Sequence, residues 1–160
     1  MHIRRATPAD APAVRAIVEE VYVGGGWADP QRAPLYVRSL LDAETRIAEA
    51  DVFLAEADGR ALGTVTATDR PPLANIARPG ELEVRMLAVL PAARRAGVGT
   101  GLMAACEELA QARGRQRVVL STEAEMLAAQ SLYEGLGYRR TPDRDWVIDG
   151  FPLITYARDL

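Results

Sequence analysis

Residues 94–101 hold the densest chemistry in the chain: Arg94 and Arg95, then Gly97, Gly99 and Gly101 at alternate positions, with Thr100 between the last two. A strand-like apolar run, 82–90, leads into this segment and a helix-like run, 102–113, leaves it. Close glycines at the mouth of a helix expose backbone N–H groups at the positive end of its dipole, a site matched to phosphate. The segment therefore predicts a phosphorylated cofactor held mainly by main chain, with the arginines adding charge. The rival reading is a glycine turn needed only for tight packing. Two arginines and three glycines converging on one helix start favour the phosphate. A P-loop would place Lys and then Ser or Thr after its last glycine, but Leu102 follows Gly101. A dinucleotide fold would put its glycines in a first βαβ unit, whereas these lie past mid-chain.

Carboxylates and a tyrosine flank the loop in sequence. Alternation along 81–90 puts Glu81, Glu83 and Arg85 on one strand face and Leu82, Val84 and Met86 on the other. Tyr133 shares a helix face with Ala129 and Leu136. Cys106 falls on the apolar face of the helix after the loop and reads as core, not nucleophile. His2, the sole histidine, reads as a terminal surface residue, which argues against a Ser-His-Asp triad and against a multi-histidine zinc site. Tyr22, Trp27 and Tyr36 can line an acceptor pocket, with Trp146 closing it, or can simply pack. Asp143 and Asp145 fit a solvated turn better than a cation site.

The elements that must position these groups follow from pattern. Residues 2–6 suit a short strand. Thr7, Pro8 and Asp10 then start a helix whose inward face is Val14, Ile17, Val18 and Val21, ended by Gly24, Gly25 and Gly26. One further helix is expected from about Ala33 to the mid-forties. Strands are expected over 52–57 and 61–68, joined by Asp58 and Gly59 as a two-residue hairpin. A proline-bounded loop spans 71–80, and strand 81–90 follows. After the cofactor helix come a strand at 116–121, a helix at 123–136 with Gly137 as its C-cap, and strands at 138–141 and 153–158. This order implies one mixed α/β domain over 1–160.

Length and composition set the class. The 160 residues are 49% hydrophobic and 26% charged, an ordinary globular balance. A formal net charge of −3 leaves no basic footprint for nucleic acid. Arginine supplies all 19 basic residues, since the chain has no lysine. A single cysteine forbids an intrachain disulfide and fits a reducing, cytoplasmic setting. No apolar run reaches membrane-spanning length, and the first residues do not lead into a signal-peptide core.

Two spaced motifs together give the chain its resemblance to the GCN5-related N-acetyltransferase (GNAT) family. Arg94-x-x-Gly97-x-Gly99 matches that family's Gln/Arg-x-x-Gly-x-Gly/Ala signature, after the strand end formed by Leu87, Ala88, Val89, Leu90 and Pro91. Ala129-x-x-Leu132-Tyr133-x-x-x-Gly137-Tyr138 matches its second signature. The motifs cover roughly 81–138, and the element order covers nearly the whole chain. Met126 stands where the family often has Asn, which removes a helix-start hydrogen bond.

The resemblance implies a mostly antiparallel sheet with splayed middle strands, flanked by about four helices. It implies acetyl-CoA as cofactor, its pyrophosphate on the backbone of Arg95, Ala96, Gly97, Val98, Gly99 and Thr100, with Arg94 and Arg95 supplying charge. It places Leu87, Ala88 and Val89 along the pantetheine arm as an added strand, with a bulge near Met86. It makes Tyr133 the acid for the leaving thiolate, and Glu83 the base, directly or through water, with Glu81 in reserve. The oxyanion would meet a backbone N–H near Leu87. An alkyl amine of pKa about 10 is neutral only about once in a thousand molecules at pH 7, so a base matters. The function expected is acetyl transfer to a primary amine of a small molecule by direct attack in a ternary complex. A peptide amine acceptor, or a non-catalytic acyl-CoA-binding module, is the alternative. No nucleic-acid or membrane partner is expected, and a homodimer is possible.

Overall fold

The computed structural model describes all residues, Met1–Leu160. Strand β1 (His2–Arg5) leads to a 3-10 turn, Pro8–Asp10, and helix α1 (Ala11–Val18). Thr7 precedes this turn, and the Asp10 carboxylate reaches back to the Thr7 N–H at 2.7 Å. Helix α1 widens into a π-helical turn, Glu19–Val23. Helices α2 (Pro34–Leu41) and α3 (Ala43–Glu49) follow. The single helix expected from Ala33 is thus two. The cause is Asp42, whose backbone leaves the helical region and whose side chain accepts the Thr45 N–H at 3.0 Å to start a new helix.

Strands β2 (Asp51–Ala57) and β3 (Arg60–Thr68) meet at Asp58 and Gly59, with φ of +51° and +72°, the geometry of the expected tight hairpin. Strand β4 (Glu81–Val89) and helix α4 (Val98–Ala112) bracket the glycine loop. Strand β5 (Arg117–Thr122), helix α5 (Leu127–Gly135), β6 (Arg139–Arg140), β7 (Trp146–Ile148) and β8 (Phe151–Asp159) complete the chain. Helix α5 starts later than expected, after a turn braced by the Gln130 amide on the carbonyls of Ala124 at 2.8 Å and Glu123 at 3.3 Å. Met126, at its N-cap, makes no capping bond. Strand β7 was not foreseen; it folds onto β8 through Asp149 and Gly150, both at positive φ.

The sheet has eight strands in the order β1-β2-β3-β4-β5-β8-β6, with β7 also on β8. The β1–β2, β5–β8, β6–β8 and β7–β8 pairs are antiparallel, and β4–β5 is parallel. With five helices in the chain, this is the mixed, mostly antiparallel open sheet expected of the family. No helix is long and apolar enough to cross a membrane.

The chain divides into two compact units: Met1–Thr66 with Met86–Ala105, and Ala67–Arg85 with Cys106–Leu160. In the first, the inward face of α1 packs with Val37, Leu40, Val52 and Leu54. Gly63 is obligatory there, since a Cβ would lie 2.9 Å from the Ala88 carbonyl oxygen and 3.0 Å from Val98 Cγ1. In the second, Leu82, Val84, Cys106, Val118, Leu120 and Tyr156 are buried.

Candidate active site

In the first unit the loop turns sharply into α4. Arg95 has φ of +60° and Gly97 +78°. Gly97 suits that left-handed backbone, whereas Arg95 adopts it at a cost. Gly101 N–H donates to the Gly97 carbonyl at 2.9 Å, the first intrahelical bond. The backbone N–H groups of residues 95–100 donate to nothing within the protein. The helix end and the left-handed turns leave these donors open together. All but Val98 and Gly99 in this segment are exposed. Neither Arg94 nor Arg95 is paired with a carboxylate; Arg94 Nε only approaches the Val89 carbonyl, at 3.4 Å.

The end of β4 bears the expected irregularity. Met86 has φ of +52°, inside a strand and without a glycine's freedom. The next residue, Leu87, offers its carbonyl to the Tyr22 hydroxyl at 3.2 Å. Leu87 and Val89 are partly exposed, and Ala88 is buried.

In the second unit the row Glu81, Glu83 and Arg85 does lie on one strand face, and it is turned to the loop before β4. Glu83 is 1% exposed. Its Oε2 accepts the backbone N–H groups of Asn75 and Ile76, each at 2.7 Å, and of Ala77 at 3.1 Å. Its Oε1 takes no hydrogen bond and stands 3.8 Å from Arg85 Nε. Arg85 itself donates to the Leu73 carbonyl. Glu81 accepts the Arg78 N–H at 2.9 Å and both arms of Arg144. Burial pushes the Glu81 carboxyl up, but Arg144, the Arg78 N–H and the charge of Arg117 outweigh it and hold the group below its ordinary value. Glu81, the reserve base of the sequence reading, is thus held in an ion pair with Arg144.

Tyr133 lies in a cluster of three phenols. Its ring centroid is 6.2 Å from that of Tyr138 and 6.0 Å from that of Tyr156. Tyr138 donates to Glu107 at 3.0 Å, and Tyr156 to Glu134 at 3.1 Å. The Tyr133 hydroxyl has no partner in the protein. Burial, with a smaller effect from Cys106, pushes its ionisation well above that of an ordinary phenol. It therefore stays protonated, with a proton to donate. Cys106 is fully buried, and burial pushes its thiol up as well, so it is not a nucleophile.

The loop, β4 and Tyr133 all fall within residues 13–138, which match the profile of the acetyltransferase (GNAT) family. The chain is 35% identical over 113 residues to the mycothiol acetyltransferase of Frankia casuarinae, covering 68% of this chain and 28% of that protein. It is 34% identical over 89 residues to N-acetyltransferase family 8 member 3 of Mus musculus, covering 56% of this chain and 38% of that one. It thus spans well under half the length of these curated relatives. The PaiA N-acetyltransferase of Thermoplasma acidophilum, solved in complex with coenzyme A, superposes with a TM-score of 0.78 at 15% identity, over 99% of this chain and 98% of that one, a likeness of fold. A family match across most of the chain and a shared fold agree with both sequence motifs: the chain belongs to the acetyltransferase (GNAT) family.

Proposed function

We propose that the chain moves an acetyl group from acetyl-CoA to a primary amine of a small molecule, by direct attack in a ternary complex. The observation that carries this reading is the run of open backbone N–H groups at residues 95–100, beside two arginines with no acidic partner. Such a cradle fits a diphosphate. When bound, acetyl-CoA supplies an acyl group activated as a thioester.

The chain's own residues supply the rest. Backbone donors at 95–100 bind the diphosphate, and Arg94 and Arg95 add charge. Leu87, Ala88 and Val89 offer a strand edge to the pantetheine arm, with a backbone N–H near Leu87 for the oxyanion. Glu83 Oε1, the oxygen without a hydrogen bond, takes the amine proton. Because the group is buried, it does so through water. Tyr133 donates its proton to the departing sulfur. The half-buried Tyr22, Trp27 and Tyr36, all before Leu41, favour a small acceptor.

Two measurements test this. Calorimetry should show acetyl-CoA binding that Gly99→Asp abolishes. An Asp in the first turn of α4 favours the helix dipole, so the variant should keep its Tm while repelling the anion. A screen of amines and peptides for acetyl-CoA-dependent thiol release should then find small amines. Unchanged affinity in Gly99→Asp would overturn the binding site; turnover confined to peptides would overturn the acceptor class.

A further inference from the structure

Strand β6 is short, and its shortness opens a cavity at the edge of the second unit. Arg139 and Arg140 pair with Ala157 and Tyr156 of β8. Just before them the chain turns back toward α5, with the Tyr138 N–H on the Tyr133 carbonyl at 3.0 Å. Strand β8 runs on beside β5 as far as Asp159, which pairs with Arg117. The last two residues of β8 therefore have no strand on their β6 side. The cavity there measures about 340 Å³, and its lining includes Arg117, Gly137, Arg139, Thr141, Arg158 and Asp159. That volume falls at the low end of small-molecule sites, roughly 300–1,000 Å³.

Three guanidinium groups, each from a different strand, share this cavity with one carboxylate. Arg139 is exposed and its side chain meets no partner in the protein. The adjacent Arg140, by contrast, grips both oxygens of Asp145, at 2.9 and 2.8 Å. Arg158 uses only Nη1 on Glu107, at 2.7 Å to each oxygen, which leaves Nε and Nη2. Arg117 gives Nε to Asp159 at 2.6 Å and brings Nη1 to 3.7 Å from Glu81, which leaves Nη2. The Leu160 N–H donates toward β5, to the Gln116 carbonyl, so alternation turns the Asp159 N–H the other way, past the end of β6. A concave wall with an excess of one sign of charge concentrates ions of the other. Guanidinium groups keep that charge throughout the working pH range.

We propose that this cavity binds a small phosphomonoester. Alternation puts Arg117 and Arg139 on one face of the sheet and Arg158 on the other, so the donors converge from different directions. A planar carboxylate is matched by a single guanidinium fork. A phosphate monoester offers three acceptor oxygens and about −1.5 to −2 charges at pH 7, which balances the excess charge of the lining. The volume calls for more than the bare ion. At ~30 Å³ for a water-sized unit the cavity holds about eleven such units, and phosphate has only about five heavy atoms. The remaining space takes an organic body. This site uses none of the residues assigned to acetyl transfer.

Calorimetry with glycerol phosphate at about pH 8, where the ester is dianionic, tests the proposal. The parent should bind it, and inorganic phosphate should bind several-fold more weakly. Arg139→Ala removes a side chain that holds nothing in the fold, so Tm should stand while affinity drops at least tenfold, the effect of losing charge-assisted hydrogen bonds. Asp159→Asn removes the opposing charge of the lining and should tighten binding, the reverse of what a loosened fold would do. Gly99→Asp, in the glycine loop, should bind as the parent does. No heat in the parent, unchanged affinity in Arg139→Ala or no tightening in Asp159→Asn overturns the site. Loss of binding in Gly99→Asp assigns the heat to the glycine loop and overturns it equally. Inorganic phosphate binding as tightly as the ester, or a phosphoserine peptide binding more tightly, overturns the small organic ester as its ligand.

Discussion

Arg144 meets Glu81 in a two-pronged ion pair, Nη1 to Oε1 at 2.9 Å and Nη2 to Oε2 at 2.8 Å. The two side chains are 6% and 7% exposed, and Arg144 also donates to the Ile76 carbonyl at 2.6 Å. Removing one partner strands a buried charge. Arg144→Leu should cost about 3 kcal/mol, the low end for a broken buried pair because Arg117 still lies 3.7 Å from Glu81. Urea unfolding measures this, and pairing the change with Glu81→Met should recover much of the loss. A loss in Arg144→Leu no larger than that of an exposed pair would show the contact to be idle.

Acid should destabilise the fold through a small set of carboxyls. Hydrogen bonds from Arg4 and from the Thr7 N–H hold Asp10 well below the usual carboxylate range. Arg140 and the Thr155 N–H also lower Asp145, and Glu81 is held low as described. Folded pKa values below the unfolded ones mean stability that is present above about pH 4 and lost as pH falls through the folded values. Thermal melts should be flat from pH 7 to about 5 and then decline. Arg4→Met should make that acid limb shallower, and an identical limb in the variant would remove Asp10 from the set.

Tyr133→Phe removes the one uncommitted hydroxyl of the three-phenol cluster. If that phenol protonates the leaving sulfur, kcat should fall about 10²–10⁴-fold while coenzyme A affinity holds. The raised ionisation of Tyr133 adds a second expectation: activity should not decline near pH 10 through this residue. An unchanged rate under conditions where chemistry is limiting would retire the acid role.

Glu83→Gln separates anchoring from proton transfer. A glutamine carbonyl can still accept the N–H groups of Asn75, Ile76 and Ala77, so Tm should fall by only a few degrees. A base role predicts a kcat loss of about 10²-fold or more, relieved as pH rises and more amine is neutral. Full activity in Glu83→Gln would leave the residue as a loop anchor alone.

Much of this was legible in the sequence because local chemistry decided it. Asp58 and Gly59 specify a hairpin by their own backbone preferences, and the glycine loop leaves its N–H groups open by local turn geometry. Strand alternation correctly grouped Glu81, Glu83 and Arg85. It could not show that their face is spent on the loop at 73–78, since that needs the long-range fold of 70–80 back onto β4. The break at Asp42 was hidden because a helix pattern runs on either side of a capping residue. Strand β7 had a signal, Asp149 and Gly150, of the kind recognised at Asp58 and Gly59. The missing partner of Tyr133, against the bonded Tyr138 and Tyr156, is a tertiary fact that no spacing encodes.

The ion pairs that tie strands to other elements here rest on guanidinium groups, from Arg4 to Arg158. With no lysine in the chain, the protein offers acyl donors no side-chain primary amine. Its charge network is immune to self-modification, and high acyl-donor concentrations should leave the folded protein's ionic framework intact.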